Sequence, residues 1–312
     1  MSQNNPILHV GLDVAKLSLQ LHLDGSFHSL TNDPKGHKQL LKLLRVHPTA
    51  HLVCEATGGY EQAVVRVLQA ADIPVSVLEA GRVRYFARAQ GLRAKTDPID
   101  AAVLTAYGRT FAPAPTTAPS PQQQQLASLT QRRRQLVHLL LIERNHTEHY
   151  TDAFQLRQAR QLIKLLEKQI GQCEEAITSL IAQDPVLTKK AERLKAIPGV
   201  GPIVAATVLA EMPELGQLTT PAVAALAGLA PYNHDSGEQQ GGRRISGGRR
   251  AVRTALYMAT LSAVRHDRIL KDFYQRLRTN GKKPLVALTA CMRKLIILMN
   301  RLLKNDKFQL AN

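Results

Sequence analysis

The stretch LSLQLHLDGSF (residues 17–27) alternates apolar and polar residues up to Asp24-Gly25. A period of two fits a strand with one buried face and is incompatible with a helix, while Asp-Gly is a hairpin turn signal. The preceding ILHVGLDVA (7–15) is a short apolar run, and a third short strand is expected near Phe27–Leu30. Strand patterns recur at AHLVCEA (50–56) and PVSVL (74–78). Helical patterns lie between and after them: from Asp33-Pro34 through Arg45, over EQAVVRVLQAA (61–71), from about Gly81, and from Pro98. The first 110 residues therefore read as α/β.

The order β-β-(β)-α-β-α-β-α is that of a ribonuclease-H-like nuclease fold. FAPAPTTAPSPQQQQ (111–125) is a Pro-rich break, read as a domain linker. Two long helical patterns follow it. In the second, Ile163, Leu166, Ile170, Cys173, Ile177 and Leu180 are spaced by alternating threes and fours, a coiled-coil seam. The first (Leu126, Leu129, Leu136, Leu140) is less regular and is broken by Arg133. This pair reads equally as an intramolecular helical hairpin or as a dimerisation arm. Asp184-Pro185 ends the region. Three zones are expected: 1–112, α/β; 113–185, linker and coiled-coil helices; and 186–312, mostly α.

Aromatic residues are only 4% of the chain and Trp is absent, which suits a Leu/Ala/Val-packed helical interior. The charge is less ordinary: 41 Lys and Arg against 24 Asp and Glu give +17. Fifteen cations and two acids (Asp267 and Asp272) fall between Arg243 and Arg301, a net +13, which marks the last zone as a nucleic-acid face. No apolar run approaches the ~20 residues of a membrane span. MSQNNPILHV lacks the order of a signal peptide, so a bacterial cytoplasmic location without a membrane partner is expected. Cys54, Cys173 and Cys291 are far apart and read as reduced thiols. His146 and His149 share a helix face but have no third ligand nearby, and read as a solvated helix end.

Four acids stand where two-metal phosphodiester chemistry would want them. That chemistry gathers carboxylates from different elements around divalent ions ~3.5–4 Å apart. Asp13 ends the first apolar strand and Glu55 ends a buried one, and burying a carboxylate is costly without a compensating cation or hydrogen bonds. In LRAKTDPIDAAVLT (92–105), Asp97 and Asp100 are three apart and share a helix face. Asp97 before Pro98 is equally a helix start, with a side-chain cap followed by a ring that needs no donor.

GLDVAK, EATGGY and KTDPIDA resemble, in order, the signature blocks of the DEDD transposases of the insertion-sequence one-ten family. These carry a RuvC-like, Holliday-junction-resolvase-like domain and include bridge-RNA-guided recombinases. The resemblance implies that Asp13, Glu55, Asp97 and Asp100 are the DEDD carboxylates and bind Mg²⁺, with Mn²⁺ as a substitute. It extends into the last zone. LKAIPGVGPIVAATVLAEM (194–212) is similar to a helix-hairpin-helix element, in which the Gly199–Gly201 turn would offer backbone N–H groups to a phosphate. LAGLAPYNHDSGEQQGGRRISGGRRAVRTALYMA resembles the block that holds the family's catalytic serine, at Ser236 here. Without that match a Ser-Gly in a polar loop reads as a turn. Ser246 and Tyr232 are the competing nucleophiles, and the roles of His234 and Asp235 stay open.

The cations Arg243, Arg244, Arg249, Arg250 and Arg253 are suited to gripping a phosphate backbone. So are Arg82, Arg84, Arg88, Arg93 and Lys95, beside which Tyr85 and Phe86 are available to stack on bases. The resemblance implies a transposase, a site-specific DNA recombinase that joins strands through a phosphoserine intermediate. Its expected partners are donor and target DNA, a structured guide RNA, and further copies of itself in a dimer or tetramer. Two rivals remain: a hydrolytic junction resolvase, and a non-catalytic nucleic-acid-binding protein.

Overall fold

The structure, a computed structural model, describes residues 6–92, 97–232 and 243–310, with only the backbone of 97 and 98. It divides into two compact units, Met1–Ala118 and Pro119–Asn312.

The first unit runs β1 (Leu8–Val14), β2 (Ser18–Leu23), β3 (Ser26–Thr31), α1 (Pro34–Leu44), β4 (Ala50–Glu55), α2 (Glu61–Ala70), β5 (Val75–Leu78), α3 (Ala80–Ala89) and α4 (Asp97–Phe111). The sheet order is β3-β2-β1-β4-β5. The hairpins β1–β2 and β2–β3 are antiparallel, whereas β1–β4 and β4–β5 are parallel. This agrees with a ribonuclease-H-like domain. Asp24 and Gly25 both take positive φ (48° and 79°), the geometry a two-residue hairpin between twisted strands requires.

One face of the sheet, with Leu12, Leu19, Leu21, Leu52 and Cys54, packs on Leu40 and Leu44 of α1 and Val64 and Leu68 of α2. The other face carries His9, Gly11 and Asp13 of β1 and His51, Val53 and Glu55 of β4, by strand alternation. On this face α4 comes unusually close. A Cβ on Gly11 would lie 1.9 Å from the Ala101 carbonyl oxygen, and one on Gly108 would lie 2.9 Å from the Val53 side chain and 3.0 Å from His9. Only glycine leaves room for this helix–strand approach. Gly11 N–H also donates to the buried Thr105 hydroxyl at 2.8 Å.

The expected linker 111–125 is largely ordered. Residues 113–116 lie along the edge strand β5: Thr116 N–H donates to Val75 O (2.8 Å), and Val77 N–H donates to Thr116 Oγ1 (2.9 Å). Ser76 Oγ donates to Ala114 O at 2.8 Å. The strap covers backbone groups that an open edge would leave for another chain to pair with. Residues 121–125 are already helical.

The second unit runs α5 (Pro121–Thr147), α6 (Ala153–Ala182), α7 (Pro185–Lys195), α8 (Pro202–Glu211), α9 (Thr220–Leu226), β6 (Pro231–Tyr232), β7 (Arg244–Ile245), α10 (Arg250–His266), α11 (Arg268–Thr279) and α12 (Pro284–Lys304). Ser120, Asp152, Asp184, Thr219 and Asp267 each cap a helix through a side-chain oxygen. The helices α5 and α6 form the intramolecular hairpin. Leu166, Ile177 and Leu180 of the seam are buried, and the ion pairs Arg133–Glu174 and Arg144–Glu167 (both 2.7 Å) fix opposite chain directions. The apolar α8, with Ala205, Ala206, Val208 and Leu209 buried, sits in the core with α5, α7 and α10. Gly199, at φ +87°, lies against the α10 backbone, where a Cβ would come 2.6 Å from Ala259 O.

The Gly11 contact yields a test. Gly11→Ala is expected to lower the stability of the first unit by about 1–3 kcal/mol, the usual cost of overpacking, in urea denaturation. Gly25→Ala, whose Cβ would meet open space, provides the turn-strain comparison.

Candidate acid site and nucleic-acid surface

Because Gly11 contacts Ala101 while His9 contacts Gly108, α4 runs antiparallel to β1. Its N-terminal end, with Asp97 and Asp100, therefore lies toward the C-terminal end of β1, where Asp13 stands. The parallel register pairs Leu12 with Cys54, so Asp13 and Glu55 occupy the next step on neighbouring strands, which run about 4.8 Å apart. The carboxyl ends of parallel strands are where open α/β sheets bind ligands.

Asp13, Glu55 and Asp100 are each half-buried. Among the described residues, no three of His, Cys, Asp and Glu are gathered tightly enough to hold a metal ion. The Asp97 side chain lies outside the described residues. The donor set is all carboxylate oxygen, the chemistry of a hard divalent cation such as Mg²⁺ or Mn²⁺, and in that respect the residues fit one.

Thr105 was missed by sequence reasoning, although a lone Gly in an apolar strand is itself a signal of close approach. The Thr105 hydroxyl donates to a carbonyl, contacts His22 Nδ1 at 2.9 Å and accepts from Gly11 N–H. It thereby ties α4 to both β1 and β2. Beside it are His9, His22 and His51; His51 Nε2 bonds Ser76 Oγ at 2.8 Å, and the His9 ring centroid is 5.4 Å from that of His51. Burial holds all three imidazoles below their ordinary pKa. The Arg109 charge adds to this for His9 and His22, and His9 adds to it for His51.

Arg82, Arg84 and Arg88 of α3 are exposed and available to nucleic acid, as is Tyr85. Phe86 corrects the expectation of a stacking platform: its ring packs against Tyr107 (5.3 Å) and Phe111 (5.6 Å) within the fold. Arg93 and Lys95 lie outside the described residues. So do Ser236, His234 and Asp235, in the segment 233–242 between β6 and β7. Tyr232 and Ser246, flanking that segment, are exposed.

The second arginine cluster divides. Arg243, Arg244 and Arg250 are exposed. By contrast, Arg249 pairs with Glu214, holding that carboxyl below the usual range despite its burial. Arg253 donates to Gly247 O (2.7 Å) and Gly228 O (3.4 Å). These two serve the fold around Gly228 and Gly248, whose backbones touch. Gly199 is explained by packing on α10, whereas Gly201, at the start of α8, faces open space.

Cys54 and Cys291 are free, buried thiols, pushed up by burial to about 12 and about 11, and so are poor nucleophiles. His146 and His149 are exposed. No helix among the described residues is long and apolar enough to cross a membrane.

The sheet carries acids at the carboxyl ends of two neighbouring central strands, and comparison with known proteins gives the class of the chain. A family model for IS110-type DEDD proteins, described as "Transposase", matches residues 10–168, and a second, "Transposase IS116/IS110/IS902 family", matches residues 191–275. The pilin gene-inverting proteins of Moraxella bovis and Moraxella lacunata are each 27% identical over 319 residues, covering 96% of this chain and 96% of each relative. An uncharacterized 43.6 kDa protein of insertion element IS110 from Streptomyces coelicolor is 29% identical over 147 residues, 46% of this chain and 34% of that protein.

The chain belongs to the IS110 family of transposases. Its field of action is DNA recombination and transposition, and DEDD transposase domains work with divalent metal ions.

The histidines beneath α4 predict a pH dependence. Their folded pKa values lie below the ordinary 6.5, so the unfolded chain binds more protons in the window between the two values. Their contribution is complete above pH ~6.5 and is lost as pH falls through that value toward the lowered ones. Urea denaturation of the first unit's transition should give a midpoint that drops between pH 7.5 and pH 5.

Proposed function

We propose that the protein is a recombinase in which Asp13, Glu55, Asp97 and Asp100 hold divalent metal at the scissile phosphate and Ser236 is the nucleophile. The observation that carries the acid assignment is the antiparallel seating of α4 on β1, which turns the helix end bearing two acids toward the strand ends bearing the others. Bound Mg²⁺ or Mn²⁺ would supply Lewis-acid stabilisation of charge on the phosphate oxygens.

The protein's own groups do the rest. The Ser236 hydroxyl attacks phosphorus and gives up its proton as the serine–phosphate bond forms. The bond to the leaving sugar oxygen breaks, and that oxygen takes a proton. One phosphodiester is exchanged for another, so the reverse step can join a new strand without an energy source. Exposed arginines, Arg243, Arg244 and Arg250 among them, hold the phosphate backbone during the exchange. The relatives named for inverting a pilin gene support this reading over hydrolysis, since inversion requires each cut end to be rejoined.

A structured RNA from the element selects donor and target DNA, and part of the basic surface grips it. The working form is a dimer or tetramer in the bacterial cytoplasm, the serine of one protomer serving the acids of another. Exposed Leu139, Leu141 and Leu165 on the α5–α6 hairpin support contact between copies.

The test uses the full chain with the element's DNA ends and RNA transcribed from its flanking segment. Asp13→Asn should lower strand cleavage at least about 100-fold, the scale on which removing one electrostatic group from a reaction centre is felt. Ser236→Ala should abolish both recombination and the covalent protein–DNA adduct seen on denaturing gels. Wild-type cleavage by Asp13→Asn would refute the metal site, and cleavage without adduct by Ser236→Ala would favour a hydrolytic enzyme.

A further inference from the structure

Asp13 and Glu55 lead directly into two loops, residues 15–17 and 56–60, and Asn32 fastens these loops together. Its side-chain Nδ2 donates to Ala15 O at 2.9 Å and to Tyr60 O at 3.2 Å, and its backbone N–H donates to Leu17 O at 3.0 Å. Both amide hydrogens are used on carbonyls, so Oδ1 is left as acceptor and takes the His37 Nε2–H at 2.9 Å. His37 is buried in α1, which anchors the bracket to the core.

The second loop has its own fastening. The Glu61 carboxylate accepts from Thr57 N–H (3.1 Å), the Thr57 hydroxyl (3.1 Å) and Gly59 N–H (2.9 Å). This draws residues 57–59 into a turn where Gly58 and Gly59 have φ of 76° and 113°.

These held loops present large side chains to solvent. Leu17 is 78% exposed, Tyr60 is 49% exposed and Lys16 is exposed. The Lys16 ammonium and the Tyr60 ring make no hydrogen bond, ion pair or ring contact to another described residue. A fixed backbone displaying a cation, an aromatic ring and a bulky apolar side chain is complementary to one class of ligand. The cation matches a phosphate, and the ring and the leucine match base faces. Base faces are hidden within a stacked duplex, so the matching ligand is a strand with unpaired bases.

We propose that Lys16, Leu17 and Tyr60, bracketed by Asn32, form a ledge that grips an unpaired nucleic-acid strand at the mouth of the acid site. Tyr60 stacks on a base, Lys16 meets a phosphate, and Leu17 blocks re-stacking of the next base. The ledge rests on the proposed function only for what the strand is delivered to, since the gripping itself needs no metal.

The experiment measures binding by the full-length protein, in EDTA at physiological ionic strength, to a fluorescent oligothymidylate of about 20 nucleotides and to a duplex of equal length. Tyr60→Ala and Lys16→Ala should each weaken single-strand binding about 5- to 10-fold, Tyr60→Ala changing duplex binding less than about 2-fold. Tyr60→Phe should retain single-strand binding, as a stacking role requires. Asn32→Asp keeps the shape but loses both side-chain donors, and should weaken single-strand binding while duplex binding holds.

Wild-type single-strand affinity in Tyr60→Ala, or equal losses on single strand and duplex, would overturn the ledge. Cleavage by Asp13→Asn is read separately. If it persists while Tyr60→Ala still loses the single strand, the metal site fails and the ledge stands.

Discussion

Much of the first unit depends on one close approach, the seating of α4 against Gly11 of β1. A glycine in an otherwise apolar strand removes the side chain that would hold the helix off, and the Thr105 hydroxyl fills the gap with a hydrogen bond to the strand. That contact sets the direction of α4 and its position along β1. With another residue at position 11, the helix would have to lift or slide, and Asp100 would move relative to Asp13. Side chains at the end of a helix inherit any such shift, because the helix moves as a rigid element.

The face under α4 is unusual for a core, since it is built from His9, His22, His51, Ser76 and Thr105 as well as apolar side chains. Imidazoles suit it because in the neutral form they pack like rings and still donate and accept hydrogen bonds. The cost is sensitivity to protonation so close to the Arg109 charge. The opposite face is packed mainly by leucines and valines against α1 and α2, where burial likewise holds His37 of α1 below its ordinary pKa.

Charge in the second unit is divided between building and display. Glu214 holds Arg249, and two glycine carbonyls hold Arg253, at the start of α10. The neighbouring Arg243, Arg244 and Arg250 face water. A guanidinium can serve either purpose, and a run of arginines in sequence does not reveal which members have found a carboxylate or carbonyl in the fold. The same holds for aromatic residues: Tyr85 is exposed, while its neighbour Phe86 is packed on Tyr107 and Phe111.

The hairpin in LSLQLHLDGSF and the helix start at Asp33-Pro34 were legible in the sequence, because each is decided within a few residues by side-chain period, capping and turn geometry, whereas Asp184-Pro185, read only as the end of the long helices, also opens α7. The candidate acids were legible as strand-ending and helix-opening residues for the same reason. The sequence did not show that the Pro-rich stretch straps β5, that Thr105 bonds Gly11 across 94 residues, that Asn32 brackets two loops, or which arginines point inward. Those outcomes depend on which backbone group or side chain arrives opposite another after distant segments pack. Spacing along the chain carries no record of that, so the tertiary structure alone decided them.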